Sequence, residues 1–343
     1  MKFQTQDRDR RAVGFWLLFM TLMVFLMVMV GGATRLTESG LSMVEWQPVT
    51  GTLPPLSADA WQEEFAKYQQ SPEYRLRNHG MSLEDFKGIF YWEWGHRLLG
   101  RLIGLFFAVP LAWFWFKGRI PQGYKPTLLV LLALGGAQGL LGWYMVMSGL
   151  VDEPAVSHYR LAAHLGLALF IMAALLWTAL SLLNPEPERS PLKLRVSTHS
   201  AMLMLVLQII MGAFVAGLKA GLIYNQWPLM GDGFIPPGMG ALQPVWLNLL
   251  DNAVTVQFDH RIGAYILMVL TLAVVWQSRS AVPRLKTASL FFLGAVALQM
   301  FLGIITLLFE VPVLWGTAHQ GGGAVVLAAL VYLMHMQRRG TAK

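Results

Sequence analysis

Eight stretches of this chain are each long and apolar enough to cross a lipid bilayer, and no other feature restricts its fold so strongly. A membrane-spanning helix needs about 20 predominantly apolar residues. Stretches that satisfy this run over Val13–Ala33, Ile89–Phe116, Thr127–Met147, Ser157–Leu183, Ser197–Gly217, Val256–Trp276, Ala288–Leu308 and Val313–Met334. In hydrocarbon every backbone N–H and C=O must find a partner inside the protein, and segments of this length do so as helices. The first stretch lacks an A-x-A-like exit, so it reads as a retained anchor rather than a cleaved leader. Composition agrees, with 55% hydrophobic and 13% charged residues and a mean hydropathy of +0.51. Soluble domains carry roughly 25% charged residues. An ordinary cytosolic enzyme, a disordered chain and a nucleic-acid binder are thereby excluded, the last despite a net charge of +7.

The basic residues are sorted by side. Eight spans put both termini on one face of the membrane. That face receives Lys2, Arg8, Arg10 and Arg11 at the start, Arg338, Arg339 and Lys343 at the end, and short loops carrying Lys117, Arg119 and Lys125, Arg189, Lys193 and Arg195, and Arg279, Arg284 and Lys286. The opposite face has Arg35, Lys67, Arg75, Arg77, Lys87 and Lys219, spread over much longer loops. The positive-inside rule places both termini in the cytoplasm, and a bacterial inner (plasma) membrane is the expected location. In the first long outer loop, Ser57 is placed to cap a helix whose Trp61, Phe65 and Tyr68 form a stripe suited to the membrane surface. Ser82 and Asp85 read as a capping box that starts the second span outside the bilayer.

The chain is also duplicated. Gly40-Leu41, Trp46, Pro48, Gly51 and Pro54-Pro55 after span one match Gly221-Leu222, Trp227, Pro228, Gly231 and Pro236-Pro237 after span five. Glu93-Trp-Gly-His96-Arg97 matches Gln257-Phe-Asp-His260-Arg261, Gln138 and Gly142 match Gln299 and Gly303, and His164 matches His319. The expected fold class is therefore an all-α integral membrane protein. Its eight transmembrane helices form two tandem four-helix bundles, residues 1–185 and 186–343, related by a pseudo-two-fold axis along the membrane normal.

Four histidines repeat: His96 and His164, then His260 and His319. Each lies in the first turns of a helix descending from the outer face, where an ionisable or ligating group points to function. One such histidine alone more often bonds to a neighbouring helix; two pairs at matching positions favour ligation. At i+4 from them stand Gly100, Ala168, Ala264 and Gly323, small residues that let a flat ring approach the helix. The chain has no cysteine, which removes iron–sulfur clusters, thiolate zinc, covalently attached heme and disulfides. Heme held between two histidines is the natural metal group. Arg97 and Arg261 follow a histidine directly and are candidates for heme propionates, with Arg101 and Arg160 behind them; the alternative for all four is snorkelling to lipid headgroups. Glu93 lies three residues before His96, whereas its counterpart is Gln257. A carboxylate at one site only suggests that one site does chemistry while the other transfers electrons. Pairing with Arg97 is the structural alternative for Glu93. The remaining histidines, His79, His158, His199 and His335, are expected to have interfacial roles, and Glu38 and Glu45 to be solvated.

GGATRLTESGLS (31–42), EWGHR (93–97), RLAAHLG (160–166), FDHRIGAY (258–265) and GTAHQ (316–320) together resemble the heme A synthase family over nearly the whole chain. The resemblance implies oxidation of the C8 methyl group of heme O, through a hydroxymethyl stage, to the formyl group of heme A for terminal oxidases, with water supplying the oxygen. It implies that His260 and His319 hold a resident heme b in the C-terminal half. His96 and His164 would then bind the substrate heme in the N-terminal half, and Glu93 would match the family's essential carboxylate. Implied partners are membrane lipid, an electron acceptor outside the chain, heme O synthase and terminal oxidase assembly factors. Some members carry a cysteine pair in the outer loops; this chain resembles the cysteine-free, proteobacterial-type branch. Two rival functions use the same residues differently. A diheme b-type electron carrier would leave Glu93 incidental, and a repeat-built transporter would place its polar groups mid-span rather than at one face.

Overall fold

The computed structural model describes residues 2–46, 50–149, 156–184 and 186–338. Pro48 of the repeat and Arg339 and Lys343 of the charge pattern lie outside them. Among the described residues there are ten α-helices and no β-strand: α1 (Lys2–Leu36), α2 (Ala58–Gln69), α3 (Pro72–Leu76), α4 (Leu83–Phe116), α5 (Lys125–Gly149), α6 (His158–Leu183), α7 (Leu192–Gly217), α8 (Ala253–Ser278), α9 (Pro283–Leu308) and α10 (Val313–Met336). Eight of them, α1 and α4 to α10, are long and apolar enough to cross a membrane. The chain is a multi-pass, all-helical membrane protein.

Packing follows the sequence repeat. Helix α1 packs on α4, α6 and α10, and its repeat counterpart α7 packs on α8, α10 and α6. Helix α5 packs on α4 and α6, as α9 packs on α8 and α10. Glu38 and Lys219 occupy equivalent repeat positions, share left-handed backbone with φ of 53° and 51°, and form an ion pair with each other. The core lies along α1, α6 and α10. Val13, Leu17, Met20, Val24 and Val28 of α1 are buried at three- and four-residue spacing, while Phe15, Phe19, Leu22 and Leu26 are exposed and suited to lipid.

Because lipid is as apolar as the helices, close approach depends on small residues and on polar groups that find partners. Pro110 inside α4 has no N–H for the carbonyl of Phe106; the indole of Trp16 on α1 donates to that carbonyl at 3.0 Å. At the α6–α7 seam, a Cβ on Gly217 would meet the Cα of His158 at 2.6 Å, a backbone atom that cannot swing aside. Gly217→Val is expected to cost about 1–3 kcal/mol through overpacking, read as a lower thermal midpoint of the detergent-solubilised protein. An unchanged midpoint would refute the tight seam.

The loop before α4 is itself a small folded unit. Ser57, Ser71 and Ser82 cap α2, α3 and α4 through bonds from the N–H groups of Ala60, Tyr74 and Asp85. The stripe Trp61, Phe65 and Tyr68 does not face the membrane surface: all three are buried with Met43 against Phe86 and Phe90 on the first turns of α4. Amphipathicity correctly marked an apolar face, but protein covers it. His335 also departs from an interfacial role. It is 1% exposed, packed edge-on against Trp177 and within 3.0 Å of the Ser181 hydroxyl.

Candidate functional site

The four repeated histidines sit at the end of the bundle that carries the long loops, each in the N-terminal half of α4, α6, α8 or α10. His260 and His319 face each other with ring centroids 6.4 Å apart and planes at 87°. Imidazole nitrogens lie about 2 Å from a bound transition metal, so a metal between two opposed rings holds their centroids roughly 6 Å apart. His96 and His164 occupy the repeat positions of that pair, on α4 and α6. No cluster of three or more His, Cys, Asp or Glu able to hold an ion occurs among the described residues.

Each imidazole lies against a glycine of a neighbouring helix. An added Cβ would reach 3.2 Å from His96 Nε2 at Gly31, 3.0 Å from His164 Cε1 at Gly142, 3.0 Å from His260 Cε1 at Gly212 and 2.7 Å from His319 Cε1 at Gly303. These glycines obey the repeat, Gly31 with Gly212 and Gly142 with Gly303. The small residues one turn beyond the histidines on their own helices point to close ring approach; the structure adds that the flanking helices α1, α5, α7 and α9 must be small as well. Gly142 and Gly303 were visible in the duplication, but nothing in sequence periodicity linked Gly31 or Gly212 to a ring.

Glutamine amides hold the backbone of three of the four. Gln138 donates to the carbonyl of His164 at 3.0 Å, Gln299 to that of His319 at 2.9 Å and Gln208 to that of His260 at 2.8 Å. A helical carbonyl has a second lone pair for such a bond. The repeat position of Gln208 is Met27, which lies 3.4 Å from a Cβ built on Gly100. His96 is thus the histidine whose flanking helix offers a thioether instead of an amide.

The two halves use one scaffold over these sites. Arg97 donates to the carbonyls of Met43 at 2.9 Å and Glu45 at 3.0 Å, and lies 5.3 Å from the ring centroid of Trp46. Arg261 donates to the carbonyls of Tyr224 and Gln226, both at 2.9 Å. Both arginines clamp the outer loop onto its helix, a duty that sequence spacing did not reveal. Arg160 stacks on Tyr144 at 4.9 Å, and Arg101 lies one turn below Arg97 on α4.

What differs is the acid. Glu93 is 2% exposed. Its Oε2 accepts from the Ser42 hydroxyl and from Met43 N–H, each at 2.8 Å, and its Oε1 accepts from Arg97 at 2.5 Å. Buried charge is tolerated only with such pairing. Gln257 donates to the Tyr224 carbonyl at 3.0 Å, and its buried Oε1 has no hydrogen-bond partner. The same framework holds a carboxylate in the first half and a neutral amide in the second.

Comparison with known proteins shows the family. The family model described as cytochrome oxidase assembly protein matches residues 14–331. The heme A synthase of Parvibaculum lavamentivorans is 51% identical over 333 residues, covering 96% of this chain and 95% of that protein. The heme A synthases of Rhodospirillum centenum (50% identical, covering 96% and 89%) and Rhizobium meliloti (49%, covering 94% and 88%) are similar along comparable lengths. By its motifs, its eight spans and these matches, the chain belongs to the heme A synthase family of cytochrome oxidase assembly proteins.

Proposed function

We propose that the chain oxidises the C8 methyl group of heme O through a hydroxymethyl stage to the formyl group of heme A, for use by terminal oxidases. The observation that carries this reading is the buried Glu93, present beside the first histidine pair and replaced by Gln257 in an otherwise equivalent second scaffold. Per methyl group converted, one oxygen atom enters from water, and four protons and four electrons leave; the electrons pass to an acceptor in or at the membrane.

In this reading residues 1–185 form the substrate half and residues 186–343 the cofactor half, related by a pseudo-two-fold axis. The reciprocal helix packing and the Glu38–Lys219 pair support that axis, since residues that meet their own repeat counterparts lie beside it. His96 and His164 hold the iron of the substrate heme. His260 and His319 would hold a resident heme b: their opposed rings, the Gly212 and Gly303 cradles and the buried, unpartnered Nδ1 of His319 fit that group. When bound, that heme would supply one-electron redox chemistry. Arg261 keeps a buried Nε–H without a partner, suited to a propionate. Arg97 already pairs with the carboxylate of Glu93, so it would serve a propionate only alongside that pair.

Glu93 is held ready by Ser42, Met43 N–H and Arg97. Positive charge builds on the methyl carbon as electrons are withdrawn, and a fixed carboxylate offsets that charge and takes the proton. The sorted basic residues support a bacterial inner membrane with both termini cytoplasmic and the site at the outer face. Heme O synthase and oxidase assembly factors are the proposed neighbours for delivery and release. Co-expression with a heme O supply, followed by chromatography of the extracted hemes, tests the function. Heme A is expected. Bound heme without heme A would make the chain an electron carrier, and absence of any heme would overturn the ligand assignment.

A further inference from the structure

The two halves also differ in the bulk they place between the second and third spans of each bundle. In the first half, α4 and α5 leave an apolar cavity of about 300 Å³, lined by Ala108, Leu111, Ala112 and Trp115 of α4 and by Leu129 and Leu132 of α5. Ala108, Leu129 and Leu132 are exposed, so the cavity opens toward lipid. The furrow continues toward the histidines. Helices α4 and α5 pack as antiparallel neighbours, and next above Ala108 and Leu132 stand Gly104, Gly135 and Gly136, then Gly139. A Cβ built on any of these four glycines meets nothing within 4 Å. Gly139 is one turn before Gly142, whose Cβ would lie 3.0 Å from His164 Cε1, so the open face ends at the first histidine pair. Aligned through Glu93/Gln257 and Gln138/Gln299, the second half has Met268 for Gly104, Val296 for Gly135, Ala297 for Gly136 and Met300 for Gly139, with Leu272 and Trp276 for Ala108 and Ala112. Val296 is 2% exposed, and Met268 packs against the same core. One scaffold is open at this seam and the other is filled.

Building on the function assigned above, we propose that the furrow between α4 and α5 receives the farnesyl tail of heme O and so orients the ring. Heme b has no such tail, and the half assigned to it carries larger side chains at these positions. The cavity begins at Ala108, 12 residues beyond His96 and about 18 Å along the helix; the rim of the macrocycle and an extended farnesyl chain together cover that distance. Its volume lies at the lower end of the roughly 300–1,000 Å³ usual for small-molecule sites, as suits one narrow chain. Lipid is as apolar as the furrow, so the furrow contributes little by keeping the tail from water. What it supplies is direction. A flat ring held by two axial imidazoles can turn about the axis through them, and each turn offers a different substituent to Glu93. With the tail laid along Gly104 and Gly139, one rim position is pinned and the C8 methyl group is held in one place, as reaction at a single methyl group requires. These glycines and Ala108 set substrate choice and position and take no part in bond-making.

The test gives the first half the residues of the second, as the double variant Gly104→Met with Gly139→Met. Both changes replace a helical glycine and enter open space, so the fold is expected to hold. Heme A formation is measured in membranes supplied with heme O and increasing amounts of heme b, a tail-free competitor. Hemes extracted from the purified protein are separated by chromatography. Wild type is expected to resist the competitor and to retain heme O beside its resident heme. The double variant is expected to need about tenfold less heme b for half-inhibition, the weight of one or two methyl-sized contacts in an apolar pocket. It should also lose heme O from the extract while the resident heme spectrum stays. The competition ratio does not depend on how much protein accumulates, and Gly139→Met alone decides the matter if the double variant does not accumulate at all. Val269→Met, on the exposed face of α8, should change neither reading. Unaltered competition and heme O content in the filled variants would leave the cavity to lipid and overturn the proposal, as would an equal loss in Val269→Met. Failure of wild type to make heme A would instead overturn the assigned function.

Discussion

Glu93→Gln is expected to abolish heme A formation, lowering the rate by about 10²–10⁴-fold, the usual weight of a positioned acid–base group, while leaving the resident heme spectrum intact. The variant gives the first half the residue that the second half already carries at that position, where Gln257 folds beneath the same arginine clamp. Glutamine keeps one acceptor oxygen, while its NH2 group takes the place of the other and faces either Arg97 or the Ser42 and Met43 donors. Both variants remove the counter-charge of the buried Arg97, and Glu93→Ala is the harsher probe because it also removes every acceptor and leaves a cavity. Loss of one partner of a buried pair typically costs 3–5 kcal/mol, so activity lost in Glu93→Ala would mix folding with chemistry. Chromatography of extracted hemes reads product, and the absorption spectrum of the purified protein reads the second site. Normal heme A yield from Glu93→Gln would refute the role of the carboxylate.

The second large effect separates the two histidine pairs. His260→Ala and His319→Ala are each expected to remove the resident heme from the purified protein and, with it, heme A formation. His96→Ala and His164→Ala should keep the resident heme and lose only product. The difference follows from the assignment of cofactor to one half and substrate to the other, and it is read by heme content per chain and by the absorption spectrum. Equal loss of heme from all four variants would refute the division between halves. Cavities left by a missing imidazole lie against Gly31, Gly142, Gly212 and Gly303, which add no side-chain bulk of their own, so an external imidazole has room to enter. Recovery of the heme spectrum in His319→Ala with added imidazole would support ligation over a packing role.

Much of the architecture was legible in the chain itself. Span number, helical character and the sorting of basic residues follow from hydrophobic length and charge, because transfer into hydrocarbon depends on composition and on closing every backbone hydrogen bond. The duplicated histidines and the Glu93/Gln257 difference could be read from spacing alone, because the two copies retain the same order and the same local spacing within each motif. Neighbours were not legible. A lipid-facing residue and a helix-facing residue are equally apolar, so hydropathy cannot say that α1 packs on α6 and α10, or that Gly31 faces His96. For the same reason the Trp61, Phe65 and Tyr68 stripe looked fit for a membrane surface when it is roofed by α4. Arg97 and Arg261 could be placed beside their histidines but not on the loop carbonyls they clamp, since backbone acceptors leave no mark on sequence. Glu73 carried no signal at all: only the folding of the outer loop buries it. By itself, the sequence determined that this is an eight-span, duplicated protein with two histidine pairs and one distinctive acid. Tertiary packing decided which glycines touch the rings and which groups surround that acid, because those depend on contacts between segments far apart in the chain.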